Sequence, residues 1–194
     1  MRLTPIRWWP LVGLSAMALL GVAVRHGSTE ADEWFAVTGR DHPVLGRLLF
    51  FTDPRVLYVL VGAALIAALW RRRWRLAAVM ALTPIVGVIA ARLLKEVFGR
   101  EKGELFTLAY PSGHVTATVA VLGVVVLVLN GRRWAMAAAA AWTVPAVLGQ
   151  SFTYHYFTDT VGAVLLATSL VCLAAWTAGL DRCQPGCDVR HSTG

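Results

Sequence analysis

Apolar residues run along this chain in six stretches separated by short polar segments. The stretches fall at about residues 8–24, 56–70, 76–94, 114–129, 134–148 and 160–180. A helix needs about 20 predominantly apolar residues to cross a bilayer, and it satisfies its own backbone there. The pattern therefore predicts an all-α fold, a polytopic membrane bundle of six transmembrane helices. The first stretch follows Arg2 and Arg7 as a signal peptide would. However, Trp8 and Trp9 open it and no small-residue cleavage site precedes His26, so it is read as a retained helix. An alanine run at 137–141 in the fifth stretch suits close helix packing.

Composition supports the pattern. Of the 194 residues 57% are hydrophobic and 15% charged. A soluble domain usually carries about 25% charged residues. The mean hydropathy is +0.62. One domain over 1–194 is expected, with a core at 55–180, an outer loop at 25–55 and a cytoplasmic tail at 181–194. The net charge of +7 does not point to nucleic acid. The arginines lie in clusters between apolar stretches, and no soluble domain remains to form a basic face.

Those clusters orient the chain. With six spans both termini share one side, which also collects Arg71, Arg72, Arg73, Arg75, Arg132 and Arg133. The opposite loops are richer in Asp and Glu, so the positive-inside rule puts both termini in the cytoplasm of a plasma-membrane protein. Trp8, Trp9, Trp70, Trp74 and Trp134 then form an aromatic belt at that interface. Three loops face outward, at about 25–55, 95–113 and 149–159. The first is expected to hold a short interfacial helix between Asp41 and Phe51, where Leu45, Leu48 and Leu49 alternate with polar residues. Of the cysteines, Cys172 lies in an apolar stretch. Cys183 and Cys187 lie in the tail near His191, without a second ligand pair to make a metal site.

Chemistry concentrates in the second and third outer loops. Tyr110-Pro111-Ser112-Gly113-His114 leads directly into an apolar helix, making Ser112 a natural N-cap and Gly113 a point of close approach. A helix start of this kind attracts anions, and a histidine at its mouth can donate a proton near neutral pH. A capping turn whose histidine reaches water explains the string equally well. His155 and Asp159 are four apart, on one face of a helix that begins near Tyr154. A carboxylate on one ring nitrogen leaves the other as nucleophile or base. On its own, though, that pair also reads as two hydrated interfacial groups. Lys95, Arg100 and Lys102 either clamp an anion or simply balance Glu96, Glu101 and Glu104. No His, Asp and Glu triple has metal-ligand spacing, so no metal and no cofactor is expected.

Taken together, Pro111-Ser112-Gly113-His114 and His155-x-x-x-Asp159, preceded by Lys95, resemble the three-part signature of the type 2 phosphatidic acid phosphatase superfamily. The first part of that signature is Lys, six residues, then Arg-Pro, and Lys102-Gly103 stand where Arg-Pro would be. The third part begins Ser-Arg, and Leu148-Gly149 occupy those places. The resemblance covers about residues 55–180. It implies a metal-independent membrane phosphatase acting on a phosphorylated lipid at the outer face. His155, oriented by Asp159, would form a phosphohistidine, and His114 would protonate the leaving group. Lys95, Lys102, Arg100, Ser112 and Gly113 would hold the phosphate. High Ala, Arg and Val content favours a bacterial envelope enzyme and a polyprenyl carrier phosphate or pyrophosphate. The alternative is a catalytically weak relative that binds phosphorylated lipid without turnover, because lysine lacks the bidentate fork of arginine.

Overall fold

Helices in this chain run past the apolar stretches that announce them, and the overhangs carry polar residues. In the computed structural model the described residues are 5–102, 107–177 and 179. Among them are seven α-helices: α1 (Pro5–Ala23), α2 (Glu30–Asp41), α3 (Pro54–Trp70), α4 (Trp74–Phe98), α5 (Gly113–Val128), α6 (Arg133–Phe152) and α7 (Phe157–Thr177). A 3₁₀ segment (Pro43–Thr52) leads into α3, and two short antiparallel strands, β1 (Glu101–Lys102) and β2 (Thr107–Leu108), close the turn after α4. The architecture is an all-α bundle. Four segments are long and apolar enough to cross a membrane: Pro43–Trp70, Trp74–Phe98, Arg133–Phe152 and Phe157–Thr177. Arg7–Ala23 and Gly113–Val128 are apolar but shorter.

Local chemistry sets the ends. Thr29 and Asp32 form a reciprocal capping box that starts α2. Asp53 accepts from the Arg55 amide, with Pro54 as the first helical residue, and starts α3. Ser112 caps α5 by accepting from the Val115 amide. Gly99, at φ 61°, takes the left-handed conformation that ends α4.

Several boundaries differ from expectation. The segment after the first helix is not an open loop with one short helix. It is α2 followed by the 3₁₀ turns, and both lie against the end of α6. Helix α4 continues to Phe98, so Lys95 stands on its last turn rather than in a loop. Helix α6 continues to Phe152, so Gly149 and Gln150 are helical. The alanine run does not mediate packing, because Ala137, Ala138, Ala140 and Ala141 are all exposed on the outside of α6. Small residues do mediate contact between α1 and α7, where Gly13 faces Ser169. The tail, including Cys183, Cys187 and His191, lies outside the described residues.

Tyr110 pins the site end of the bundle. Its ring fills the space that glycine leaves at Gly21 on α1 and Gly162 on α7, and its hydroxyl donates to the Met17 carbonyl. With Phe98 edge-on at 5.1 Å, it joins Met17, Ala91 and Leu166 in one buried cluster.

Helix α2 approaches α6 closely at Gly39, where an added Cβ would strike the Phe152 carbonyl. Gly39→Ala should therefore cost about 1–3 kcal/mol, as overpacking does. Gly62→Ala on α3, where nothing lies within 4 Å of the added carbon, should be neutral or stabilising. Thermal unfolding of the two variants in detergent checks the contrast.

Candidate active site

The starts of α2, α3, α5 and α7 and the ends of α4 and α6 lie at one end of the bundle, and the residues singled out for chemistry converge with them. His114 is the second residue of α5, exposed, and within electrostatic range of both His155 and Lys95. His155 lies in the turn just before α7 and is buried. It is thus not on the helix, as the spacing rule assumed, yet its Nδ1 still lies 3.7 Å from Asp159 Oδ2. That separation is an electrostatic approach rather than a hydrogen bond, and Nδ1 has no hydrogen-bond partner in the structure.

Asp159 is held from two other sides. Its Oδ2 accepts from the Tyr156 amide at 3.0 Å, capping the start of α7. Its Oδ1 accepts from Arg100 Nη1 at 2.6 Å. Its carbonyl accepts from the Ser112 amide, which ties the start of α7 to the start of α5. The Pro111-Ser112-Gly113-His114 turn is therefore tied at Ser112 to the segment that carries His155.

Arg100 is not free to act as a phosphate clamp. It is 1% exposed, and its guanidinium also donates to Asp32 Oδ2 at 2.9 Å, Thr158 Oγ1 at 2.6 Å and the Gly27 carbonyl at 2.8 Å. A cation with two buried carboxylate partners stays where they are, since breaking either pair strands a charge. The half-buried Lys102 and Lys95 remain for an anion. Lys95 Nζ donates to the Leu108 carbonyl at 2.8 Å. Lys102 Nζ lies 4.6 Å from the centre of the Tyr156 ring, against which Arg100 also stacks at 4.3 Å. Burial lowers the Lys102 ammonium below its ordinary range, while Asp159 and Asp32 pull it back up.

Asp32, Thr158 and Tyr156 were not foreseen as site residues. Asp32 accepts from the Thr158 amide at 2.9 Å, so α2 caps the first turn of α7 across 126 residues of sequence. Burial alone would raise the Asp32 carboxyl. Bonds from the Thr158 and Thr29 amides, Arg100 and the Thr158 hydroxyl outweigh it and hold the carboxyl below the ordinary value. The Thr29-x-x-Asp32 spacing marks a helix start in the sequence, but nothing there pairs it with Arg100. Burial likewise raises the Tyr110 hydroxyl, reinforced by Asp159.

A cavity of about 270 Å³ opens beside His114, lined also by Thr52, Asp53, Gln150 and Tyr154. A larger apolar cleft of about 670 Å³ lies between α4 and α7 near Arg75 and Thr177, at the opposite end from the histidines. Among the described residues no three of His, Cys, Asp and Glu are grouped to hold a metal ion.

Known proteins bear on this arrangement through shape. The crystal structure of a transmembrane PAP2-type phosphatidylglycerolphosphate phosphatase from Bacillus subtilis superposes with a TM-score of 0.72 at 18% identity. The match covers 90% of this chain and 96% of that one. The chain shares the fold of a PAP2-type membrane phosphatase. No protein-family model and no curated protein sequence matches it.

Position 149, where the third part of the signature would place an arginine, has no room for a side chain. A Cβ at Gly149 would lie 2.7 Å from the Leu48 backbone carbon and 2.9 Å from its oxygen. The 3₁₀ segment fills the place where an arginine side chain would leave α6. Gln150, beside it, is also occupied, donating to Thr52 Oγ1 at 2.8 Å.

Two outcomes follow from this geometry. Gly149→Arg should lower the folded yield and unfolding temperature rather than restore a phosphate ligand, because backbone and not a flexible side chain must move. Asp32 should make stability acid-sensitive. Its carboxyl is held low in the folded state, so its contribution is present above the ordinary carboxylate range and lost as pH falls through and below it. Asp32→Asn should cost about 1–3 kcal/mol at neutral pH and flatten that acid dependence, read from unfolding temperature against pH.

Proposed function

We propose that this chain is a metal-independent lipid phosphate or pyrophosphate phosphohydrolase that works through a phosphohistidine intermediate. The observation that carries the reading is the meeting of His114, His155, Asp159, Lys95 and Lys102 at one end of a bundle with the PAP2-type fold. In the first step His155 Nε2 attacks phosphorus while His114 protonates the departing lipid oxygen. The P–N bond forms as the P–O bond breaks, and Asp159 stabilises the positive imidazole through Nδ1. In the second step water attacks phosphorus, His114 takes its proton, and phosphate leaves His155 free. Lys95, Lys102, Ser112 and the Gly113 amide hold the non-bridging oxygens, with the start of α5 contributing its dipole.

The chemistry belongs at the outer face of the plasma membrane. All six apolar helices span in this reading, as a single domain with both termini cytoplasmic, and the arginine-rich connections at Arg71–73 and Arg132–133 support that orientation. The substrate is a phosphorylated lipid whose tail lies between helices, and a polyprenyl carrier fits the same geometry. A second reading is a lipid-phosphate binder with weak turnover. It draws support from the unmade His155–Asp159 hydrogen bond and from the two signature arginines replaced by Lys102 and Gly149.

Detergent-solubilised full-length protein should release phosphate from at least one of phosphatidic acid, phosphatidylglycerol phosphate and a polyprenyl pyrophosphate, with chelator present. His155→Ala should fall to background. His114→Ala should lose about 10²–10⁴ in rate and accumulate acid-labile phosphate on His155. Tight lipid binding without release would favour the second reading, and unchanged release in His155→Ala would sink the first.

A further inference from the structure

We infer that Arg100 and Asp32 are positioning residues for His155, acting through Asp159, so that α2 is part of the catalytic apparatus. The inference rests on the phosphohydrolase reading and deepens it. Four of the five guanidinium hydrogens of Arg100 lie on Nη1 and Nη2, and those two nitrogens serve Asp159, Thr158, Asp32 and Gly27. Asp32 completes the circuit with Oδ1, which accepts from both the amide and the hydroxyl of Thr158. Asp159 is thus gripped at Oδ1 by Arg100 and at Oδ2 by the Tyr156 amide, and the grip aims Oδ2 at His155 Nδ1.

Stability alone does not account for such a cluster. Buried ion groups are often no more stabilising than apolar side chains of the same volume. What the cluster supplies is a fixed direction and a fixed charge for one carboxylate. Asp159 cannot rotate away from His155 without leaving Arg100, and Arg100 cannot move without leaving Asp32. Thr29-Asp32 and Tyr156-Asp159 are matching cap pairs, so two helix starts are locked on either side of one guanidinium.

His155 has Asp159 on α7 and His114 on α5 beside it, and Lys95 at the end of α4 and Lys102 on β1 act on Asp159. Arg100 and Asp32 stand behind Asp159. Their signs give opposed expectations. Asp32→Asn leaves Arg100 opposed by Asp159 alone, so protonated His155 is disfavoured and its titration moves to lower pH. Arg100→Gln leaves two carboxylates unopposed, and the titration moves to higher pH. Arg100→Lys keeps the charge but cannot bridge both carboxylates. It should leave the titration near wild type and lower kcat.

The test uses full-length protein in detergent micelles, with the His155 ring followed by ¹⁵N NMR against pH, and kcat and KM measured on the lipid phosphate that wild type hydrolyses. The expected result is a downward shift in Asp32→Asn, an upward shift in Arg100→Gln, and kcat reduced roughly tenfold to a hundredfold in both. KM should change less than kcat in Asp32→Asn, since Asp32 does not touch substrate. Asp32→Asn is isosteric, and Thr158→Val provides a second break in the same circuit should Arg100→Gln fail to fold. Thr158→Val keeps every charge and should lower kcat with the titration near wild type. If His155 titrates as in wild type in folded Asp32→Asn, or folded Thr158→Val keeps wild-type kcat, the cluster is only a structural staple and the inference is overturned. Absence of turnover in wild type overturns the phosphohydrolase reading instead, while the ring titration still decides the coupling.

Discussion

One guanidinium between two carboxylates organises the site end of this molecule. Arg100 is buried only because Asp32 and Asp159 accept from it, and each carboxylate is tolerated only because it also caps a helix start. Taking an ion out of water costs several kcal/mol, and a lone ion in this place would not stay charged. The arrangement answers that cost with geometry. One cation, two anions and the positive ends of α2 and α7 leave little net field, and every strong acceptor is in use. The site then inherits its rigidity from an electrostatic requirement rather than from a large apolar core.

The same requirement explains why the segment between α1 and α3 is folded. Helix α2 is polar and short, with no apolar stripe broad enough to hold it on the bundle unaided. Two features bind it there. One is the Asp32 circuit to Arg100 and Thr158. The other is aromatic, with Phe35 stacked on Phe157 at 4.7 Å and tilted against Phe152. These contacts join residues 68 to 126 positions apart. They place α2 and the 3₁₀ segment over the ends of α6 and α7, where they bound the space around the histidines.

What could be read from the sequence follows from this. The apolar stretches were legible because lipid demands long uninterrupted runs, and the helix start at Ser112 carries its own signature. The convergence of His114, His155 and Asp159 on one end was legible from the parity of the spans. Helix ends were not, because α4 and α6 continue into Lys95 and Gln150, whose polarity masks the helical period. The partner of Arg100 was hidden for a different reason. Among several acids on the same face, only folding selects Asp32 and Asp159, and it withdraws Arg100 from the phosphate-holding set in doing so.

The two departures from the phosphatase signature therefore differ in kind. Lys102 is a substitution of one cation for another, kept near Asp159 and steadied on the Tyr156 ring. It can deliver charge to an anion but not a fixed pair of parallel hydrogen bonds. Gly149 is not a substitution in that sense. The backbone of Leu48 occupies the volume a side chain would need, so the arginine and the present course of the 3₁₀ segment exclude each other. A ligand at the histidines then meets Thr52, Asp53 and Tyr154 on the side where the signature would place a second guanidinium. That wall offers the Asp53 carboxylate and neutral polar groups where the signature would place a guanidinium.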